Sequence, residues 1–317
     1  MNHISKFKLP SILEDILKEL RTIGAIPIVV GGSVRDFFLN IPVKDYDIEI
    51  FGIDSLDIIQ KSLEKFGCVK LVGKSFGVLT LRVNEYDFDF ALPRIEKKTG
   101  NTHQDFEIIT NANLSFKEAA IRRDFTINAI GYDFLKQEFL DPFDGINDLK
   151  SKVIRHINDI TFIEDSLRVY RAVQFASRFE FKVDENTKEL CKQIVLNDEL
   201  KYLPKERIYE EFKKLFLKSA KPSIGFELLR ELEILNCFPE LKALINCIQE
   251  PEYHPEGDVW IHTMMSLDEL AKILKEENIQ DEYRKLYLFY AILCHDFGKP
   301  FCTKEINGKI TSFKHES

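Results

Sequence analysis

The stretch from Ile28 to Gly52, IVVGGSVRDFFLNIPVKDYDIEIFG, limits the possible folds more than any other part of the chain. Ile28, Val29 and Val30 form a short β-branched run, and Gly31-Gly32-Ser33 ends it with residues that let a backbone pass close to a ligand. Val34 to Leu39 then reads as a short helix whose first N–H groups face whatever sits over the glycines. After a turn at Pro42, Asp45-Tyr46-Asp47-Ile48-Glu49-Ile50 alternates strictly. One strand face therefore carries Asp45, Asp47 and Glu49, and the other Tyr46, Ile48 and Ile50. Three carboxylates on one face repel each other, and a divalent cation is the simplest partner. Residues two apart in a strand lie about 6.6 Å apart, and Asp side chains can lean together to hold ions about 3.5–4 Å apart, as in two-metal phosphoryl chemistry. Mg²⁺ takes hard oxygen ligands and shares them with substrate phosphates, which suits a glycine turn beside an Asp pair. An isolated D-x-D is more simply a wet strand face. The G-G-x-x-R-D just ahead of it favours the cation.

GGSVRD followed by KDYDIEIFG resembles the head-domain signature of the class II tRNA nucleotidyltransferases and bacterial poly(A) polymerases, in the polymerase-β-like nucleotidyltransferase superfamily. The resemblance implies an α+β protein: a catalytic head with a small mixed sheet and helices, an all-helical neck and body, and a partial helical HD domain. The periodicities agree. Ser11 to Ile23 and Ser55 to Phe66 have helical spacing, while Val69 to Val72, Val78 to Val83 and Tyr86 to Leu92 are β-rich. Tyr86 to Phe90 alternates and places Asp87 and Asp89 on one face. Asp89 matches the carboxylate that sits beside the metal pair in the family, or else it is the wet face of a hairpin; Asp87 reads as wet. Pro93 to Asn113 is polar, lacks periodicity and is expected to be a structureless functional loop. It resembles the family's flexible loop that helps change from adding C to adding A.

Arg122-Arg123-Asp124-Phe125-Thr126-Ile127-Asn128-Ala129 resembles the family's R-R-D-x-T-x-N-A motif. Arg forks bind phosphate oxygens bidentately, so Arg123 joins Gly31, Gly32 and Arg35 as the expected triphosphate cradle; Asp124 and Asn128 are expected to be structural. Glu164 to Arg171 resembles E-D-x-x-R-x-x-R, the family's base-reading motif. Asp165 and Arg168, three apart on one helix, would share a face. Cytosine and adenine each offer an amine donor beside a ring-nitrogen acceptor, which an Asp acceptor and an Arg donor match. Uracil and guanine offer a carbonyl where the amine would be. Arg171, one turn on, could reach a phosphate, whereas Gln174 stands where family members often carry another Arg. Glu206 to Glu211 resembles the neck motif E-R-I-x-E-E and is expected to form an ion-pair network steadying the base-reading helix. Lys201 to Lys221 is locally basic, either an RNA surface or a solvated helix face.

Beyond Leu241, His254-Pro255-Glu256-Gly257-Asp258-Val259-Trp260-Ile261-His262, His295-Asp296-Phe297-Gly298-Lys299 and Lys314-His315-Glu316 resemble the start of an HD domain, a metal-dependent phosphohydrolase fold. His262, His295 and Asp296 match its first ligands for a possible second divalent metal, and His315 the next. The last expected Asp lies beyond Ser317, so the segment is expected to be truncated or degenerate, and a helical platform for tRNA is favoured.

Composition sets the frame. A chain of 317 residues fits two or three domains, expected as a head at 1–150, a neck and body at 151–240 and an HD-like segment at 241–317. A net charge of −8 excludes a generally basic nucleic-acid coat and confines RNA contact to local patches. Six scattered cysteines without a C-x-x-C pair fit a reduced cytoplasmic protein. Neither a secretory leader nor a membrane span is expected. The resemblance implies template-independent CCA addition to the 3′ end of the tRNA acceptor arm, with ATP and CTP as substrates and Mg²⁺ as cofactor. Its rivals are poly(A) polymerase and an HD phosphohydrolase with a vestigial head.

Overall fold

The computed structural model describes residues 7–72, 77–98 and 106–313. The chain divides into two compact units, Met1–Asp165 and Ser166–Ser317. The first is a mixed sheet with helices and the second is almost wholly helical.

In the first unit, α1 (Ser11–Thr22) leads into β1 (Ile26–Val30), α2 (Gly32–Phe38) and β2 (Asp45–Phe51). Then follow α3 (Leu56–Leu63), β3 (Val69–Val72), β4 (Val78–Val83) and β5 (Tyr86–Ala91). The main sheet runs β3-β4-β5-β2-β1-β8-β9, where β8 is Gly131–Asp133 and β9 is Glu138–Leu140. Strands β2 and β5 are parallel, and their other neighbours are antiparallel. Val29 of β1 and Ile48 and Ile50 of β2 are buried, as are Leu13, Ile16 and Leu17 from the apolar stripe of α1, which packs on β1. Phe7 packs beside this core with Phe37 and Tyr132, at ring distances of 4.5 and 5.1 Å.

Pro93 to Asn113 departs from the expected structureless loop. Arg94–Lys98 (β6) and Phe106–Thr110 (β7) form an antiparallel ribbon, with Ile95 opposite Ile109. Both isoleucines are exposed. Apolar residues that face no core leave no in-and-out alternation to read, which is why the pattern was silent.

The first unit closes with α4 (Phe116–Ala120), a 3₁₀ turn at Thr126–Asn128, α5 (Gly145–Ser151) and α6 (Asp159–Glu164). The second contains α7 (Leu167–Phe179), α8 (Glu185–Leu196), α9 (Lys205–Lys218), α10 (Ser223–Glu231), α11 (Pro239–Lys242), α12 (Val259–Glu276), α13 (Glu282–Cys294) and α14 (Lys299–Cys302). Thr303–Ile306 and Lys309–Ser312 form a hairpin after them. Phe212, Phe216, Phe226 and Phe289 tie α9, α10 and α13 together, Phe216 stacking on Phe289 at 4.9 Å. No described helix is long and apolar enough to cross a membrane.

The turn carrying Thr126 is pinned from below. Thr126 Oγ1 donates to Asp148 Oδ2 at 2.7 Å, and Arg155 pairs with the same carboxylate at 3.2 Å. Gly145 packs so closely that an added Cβ would lie 2.2 Å from the Thr126 carbonyl oxygen. Gly145→Ala is therefore expected to cost about 1–3 kcal/mol of head stability through overpacking. Amide exchange at β1 and β2 should speed up, while fluorescence of Trp260, the single tryptophan, should follow an unchanged transition. Unchanged exchange would show that the backbone at Thr126 yields freely.

Candidate functional site

The parallel register of β2 and β5 sets Asp45 opposite Asp87 and Asp47 opposite Asp89. Neighbouring strands are about 4.8 Å apart, so Asp47 and Asp89 stand side by side on one face. Asp45, Asp47 and Asp89 are all exposed. Asp87 instead faces Arg82 of β4 at 3.6 Å, a paired strand residue. Desolvation by the surrounding protein pushes the Asp47 carboxyl up; Arg123 opposes this, and the charges of Asp89, Glu49 and Asp45 add to the rise. Among the described residues, the groups of three His, Cys, Asp or Glu whose ligand atoms lie within 4.8 Å of one another are both in the second unit. The hard oxygens and mutual repulsion of the head carboxylates suit Mg²⁺.

Glu49 shares this face by parity but not by environment. It is 2 % exposed, and its Oε1 accepts from Arg122 Nη2 at 2.7 Å and from Arg123 Nη2 at 2.9 Å. Burial pulls its carboxyl upward, yet the two guanidiniums outweigh that and hold it below the ordinary value. The strand face therefore changes from open to closed within four residues, because the turn after α4 lays its arginines over Glu49. Arg123 Nη1 also donates to the Asn128 carbonyl at 3.3 Å. It reaches Gly31, where an added Cβ would lie 3.0 Å from Arg123 Nη1 and 3.4 Å from Asp47 Oδ2. Gly31 has φ of 72°, so close approach and backbone conformation both call for glycine.

Arg35, expected in the triphosphate cradle, is buried and held within the framework. Its Nη1 donates to Asn128 Oδ1 at 2.6 Å, and its Nε donates to Asp36 Oδ1 at 2.7 Å. Asn128 donates in turn to Asp124 Oδ1 at 3.0 Å. Asp124, Asn128 and Arg35 therefore form one chain of bonds beneath the glycine turn. The spacing of G-G-x-x-R-D did not reveal this, since Asn128 lies 93 residues from Arg35.

Asp165 and Arg168 do not share a helix. Asp165 ends α6 in an extended conformation (φ −120°, ψ 97°), and α7 begins at Leu167. The break carries neither Gly nor Pro, which is why the periodicity ran through it. Asp165 closes the first unit, and Arg168 and Arg171 lie on the first turns of the second. Arg171 lies 4.0 Å from Glu211 of α9 and over the Phe175 ring at 5.2 Å. Glu211 also pairs with Lys214 at 2.7 Å. Gln174 is buried, on the packed side of α7.

In the second unit, His262, His295 and Asp296 bring their ligand atoms within 4.8 Å of one another. His262 lies in the first turn of α12, and His295 and Asp296 follow α13. Asp296 is almost wholly buried, 2.8 Å from Lys299 Nζ and 3.2 Å from His295 Nε2. Burial raises its carboxyl, but these two neighbours prevail and hold it at about 2. His254, Glu256 and His262 form a second such group that the motif reading did not assign. His315 lies outside the described residues.

Residues 28–155 match the family described as the poly A polymerase head domain, and residues 180–245 match a probable RNA and SrmB-binding site of polymerase A. Over 282 residues, 88% of its length, this chain is 36% identical to the Multifunctional CCA protein of Haemophilus ducreyi, and it spans 65% of that relative's length. A solved tRNA-processing enzyme without ligand aligns over 89% of this chain and 73% of its own, at 27% identity and a TM-score of 0.67. A structure described as a tRNA-processing enzyme with CTP aligns over 88% and 70%, at 27% identity and a TM-score of 0.63. Within residues 28–155, the carboxylate-bearing strand pair, the glycine turn and the arginine fork lie together, Gly31 lying close to both Asp47 and Arg123.

Glu49→Gln removes the charge that two guanidiniums share, and breaking a buried ion pair from one side costs about 3–5 kcal/mol. Urea unfolding of the head should register that loss. Because the folded Glu49 carboxyl lies below its usual value of 4.5, its contribution is present above pH 4.5 and lost as pH falls through the folded value. The variant should lack that part of the acid slope. Equal slopes would contradict the assignment.

Proposed function

We propose that this chain adds C, C and A from CTP and ATP to the 3′ end of tRNA, without a template and with release of pyrophosphate, in the cytoplasm. The observation that carries this reading is the pairing of Asp47 with Asp89 beside Gly31 and Arg123. It joins a site for a hard cation to a site for phosphates. The name of the Haemophilus relative supports CCA as the product, and the CTP-bound neighbour supports a nucleotide substrate. Asp45, Asp47 and Asp89 would hold Mg²⁺. When bound, the metal supplies acidification of the tRNA 3′-hydroxyl and charge neutralisation of the leaving pyrophosphate. Gly31 and Gly32 let the triphosphate approach the backbone, and Arg123 offers it a guanidinium fixed by Glu49. Arg35 acts one step removed, holding the turn through Asn128. Asp165 and Arg168 present an acceptor and a donor to the base edge, selecting C and A. The helical unit binds the acceptor arm by shape and phosphate contacts. The proposed functional map divides the chain into 1–150, 151–240 and 241–317.

A second reading applies to the HD segment alone. The convergence of His262, His295 and Asp296 supports a divalent metal site there, with ligands of the kind that take Zn²⁺ or Co²⁺.

Incubation with tRNA ending at the discriminator base, supplied with CTP, ATP or both, tests the main reading. The expected product with both nucleotides is CCA and nothing longer. Unlimited A addition without CTP would replace it with poly(A) polymerase. Asp47→Ala should lower incorporation by more than about 10³-fold, the scale of losing transition-state electrostatics. Retained incorporation would remove the head from the chemistry.

A further inference from the structure

We propose that Glu256 is a positioning residue which fixes the His262 ring so that Nε2, not Nδ1, faces the space shared with His295 and Asp296. The inference rests on the reading of that space as a divalent metal site, and it assigns Glu256 no bond to the metal.

The two histidines are set by different acceptors to the same end. His262 Nδ1 lies 2.7 Å from Glu256 Oε1, and His295 Nδ1 lies 2.6 Å from the Ile292 carbonyl oxygen. A carbonyl can only accept, and so can an ionised carboxylate. Both Nδ1 atoms therefore carry a proton, which leaves Nε2 as the lone-pair nitrogen of the neutral His262 ring; His295 Nε2 faces the Asp296 carboxylate at 3.2 Å, where an ion held by both would take the place of a proton. The rings lie 5.4 Å apart between centroids, close enough for two Nε2 atoms to address one ion. An ordinary carboxyl is ionised throughout the neutral range, so Glu256 is an acceptor there.

The backbone supports the same orientation. Asp258 caps α12, accepting from Ile261 N at 2.9 Å, and its second oxygen accepts from Asn246 N at 2.7 Å. This double hold fixes the first turn, where His262 N donates to the Asp258 carbonyl at 3.1 Å. His254 Nδ1 meets the same Glu256 oxygen at 3.1 Å, with its ring at 81° to that of His262. An ion held by His254, Glu256 and His262 would have to displace both of these hydrogen-bonded protons. An ion on the other side of His262 displaces neither. A carboxylate on the far nitrogen of a metal-binding histidine fixes the tautomer and raises ligand basicity, and losing it typically weakens binding 10–100-fold.

The test uses the full chain and Co²⁺ as the probe. Long-range ¹H–¹⁵N spectra of the metal-free protein should show the neutral His262 ring as the Nδ1–H tautomer. In Glu256→Ala the Nε2–H form should appear, and in Glu256→Gln, whose amide oxygen can still accept, Nδ1–H should persist. Calorimetric titration should show one Co²⁺ bound, about 10–100-fold more weakly in Glu256→Ala, with partial recovery in Glu256→Gln. Binding should be lost in His262→Ala and in Asp296→Asn, and kept in His254→Ala. Circular dichroism of each variant controls for folding. Loss of Co²⁺ in His254→Ala and Glu256→Ala to the extent seen in His262→Ala would make Glu256 a ligand and overturn the proposal. An unchanged His262 tautomer in Glu256→Ala would overturn it independently of any metal. A wild-type protein that binds no Co²⁺ would sink the metal reading itself, an outcome the tautomer spectra distinguish from failure of the orienting role.

Discussion

Burying a carboxylate costs several kcal/mol unless charged partners surround it, and Glu49, at 2 % exposed, meets that cost with two guanidinium hydrogen bonds of 2.7 and 2.9 Å. Much of the head hangs on this arrangement. It ties the centre of β2 to the turn after α4, and through Arg123 it reaches the Asn128 carbonyl. Asn128 extends the connection to Arg35 and Asp124. The glycine turn, the carboxylate-bearing strand and the arginine fork thereby become one framework. Charge-assisted bonds of this kind are directional as well as strong, so the fork holds its guanidiniums in place before any phosphate arrives.

The same fork makes the open carboxylates tolerable. Asp45, Asp47 and Asp89 would repel one another on a bare strand face, and desolvation, with these neighbouring charges adding to it, raises the Asp47 carboxyl. The Arg123 guanidinium opposes that rise. The head thus sets the negative charge of three open carboxylates against one held guanidinium. In the second unit Glu256 stands to His262 as Glu49 stands to Arg123: each carboxylate directs a nitrogen group toward a site without belonging to it.

Strict alternation made the sequence legible where one face of a strand met the core. Asp45 to Ile50 and Tyr86 to Phe90 fall in strands, with Ile48, Phe88 and Phe90 inside. The ribbon of β6 and β7 escaped because its isoleucines face no core. The break falls at Asp165-Ser166, residue types that favour helix caps over interiors, and it carries neither Gly nor Pro to mark it more strongly. Arg35 had the right residue type for a phosphate, yet its partners Asp36 and Asn128 take up its guanidinium.

By itself the sequence determined which faces carry charge, where the backbone passes close to a ligand, and which histidines and aspartates could be ligands, because these follow from residue type and short periods. Tertiary structure decided which carboxylates stay open and which are covered. Parity put Glu49 with Asp45 and Asp47, and only the approach of Arg122 and Arg123, more than seventy residues later, separated it from them. Parity also left Asp89 unplaced until the parallel register of β2 and β5 set it beside Asp47. Such pairings depend on how distant segments meet, and no local pattern records them.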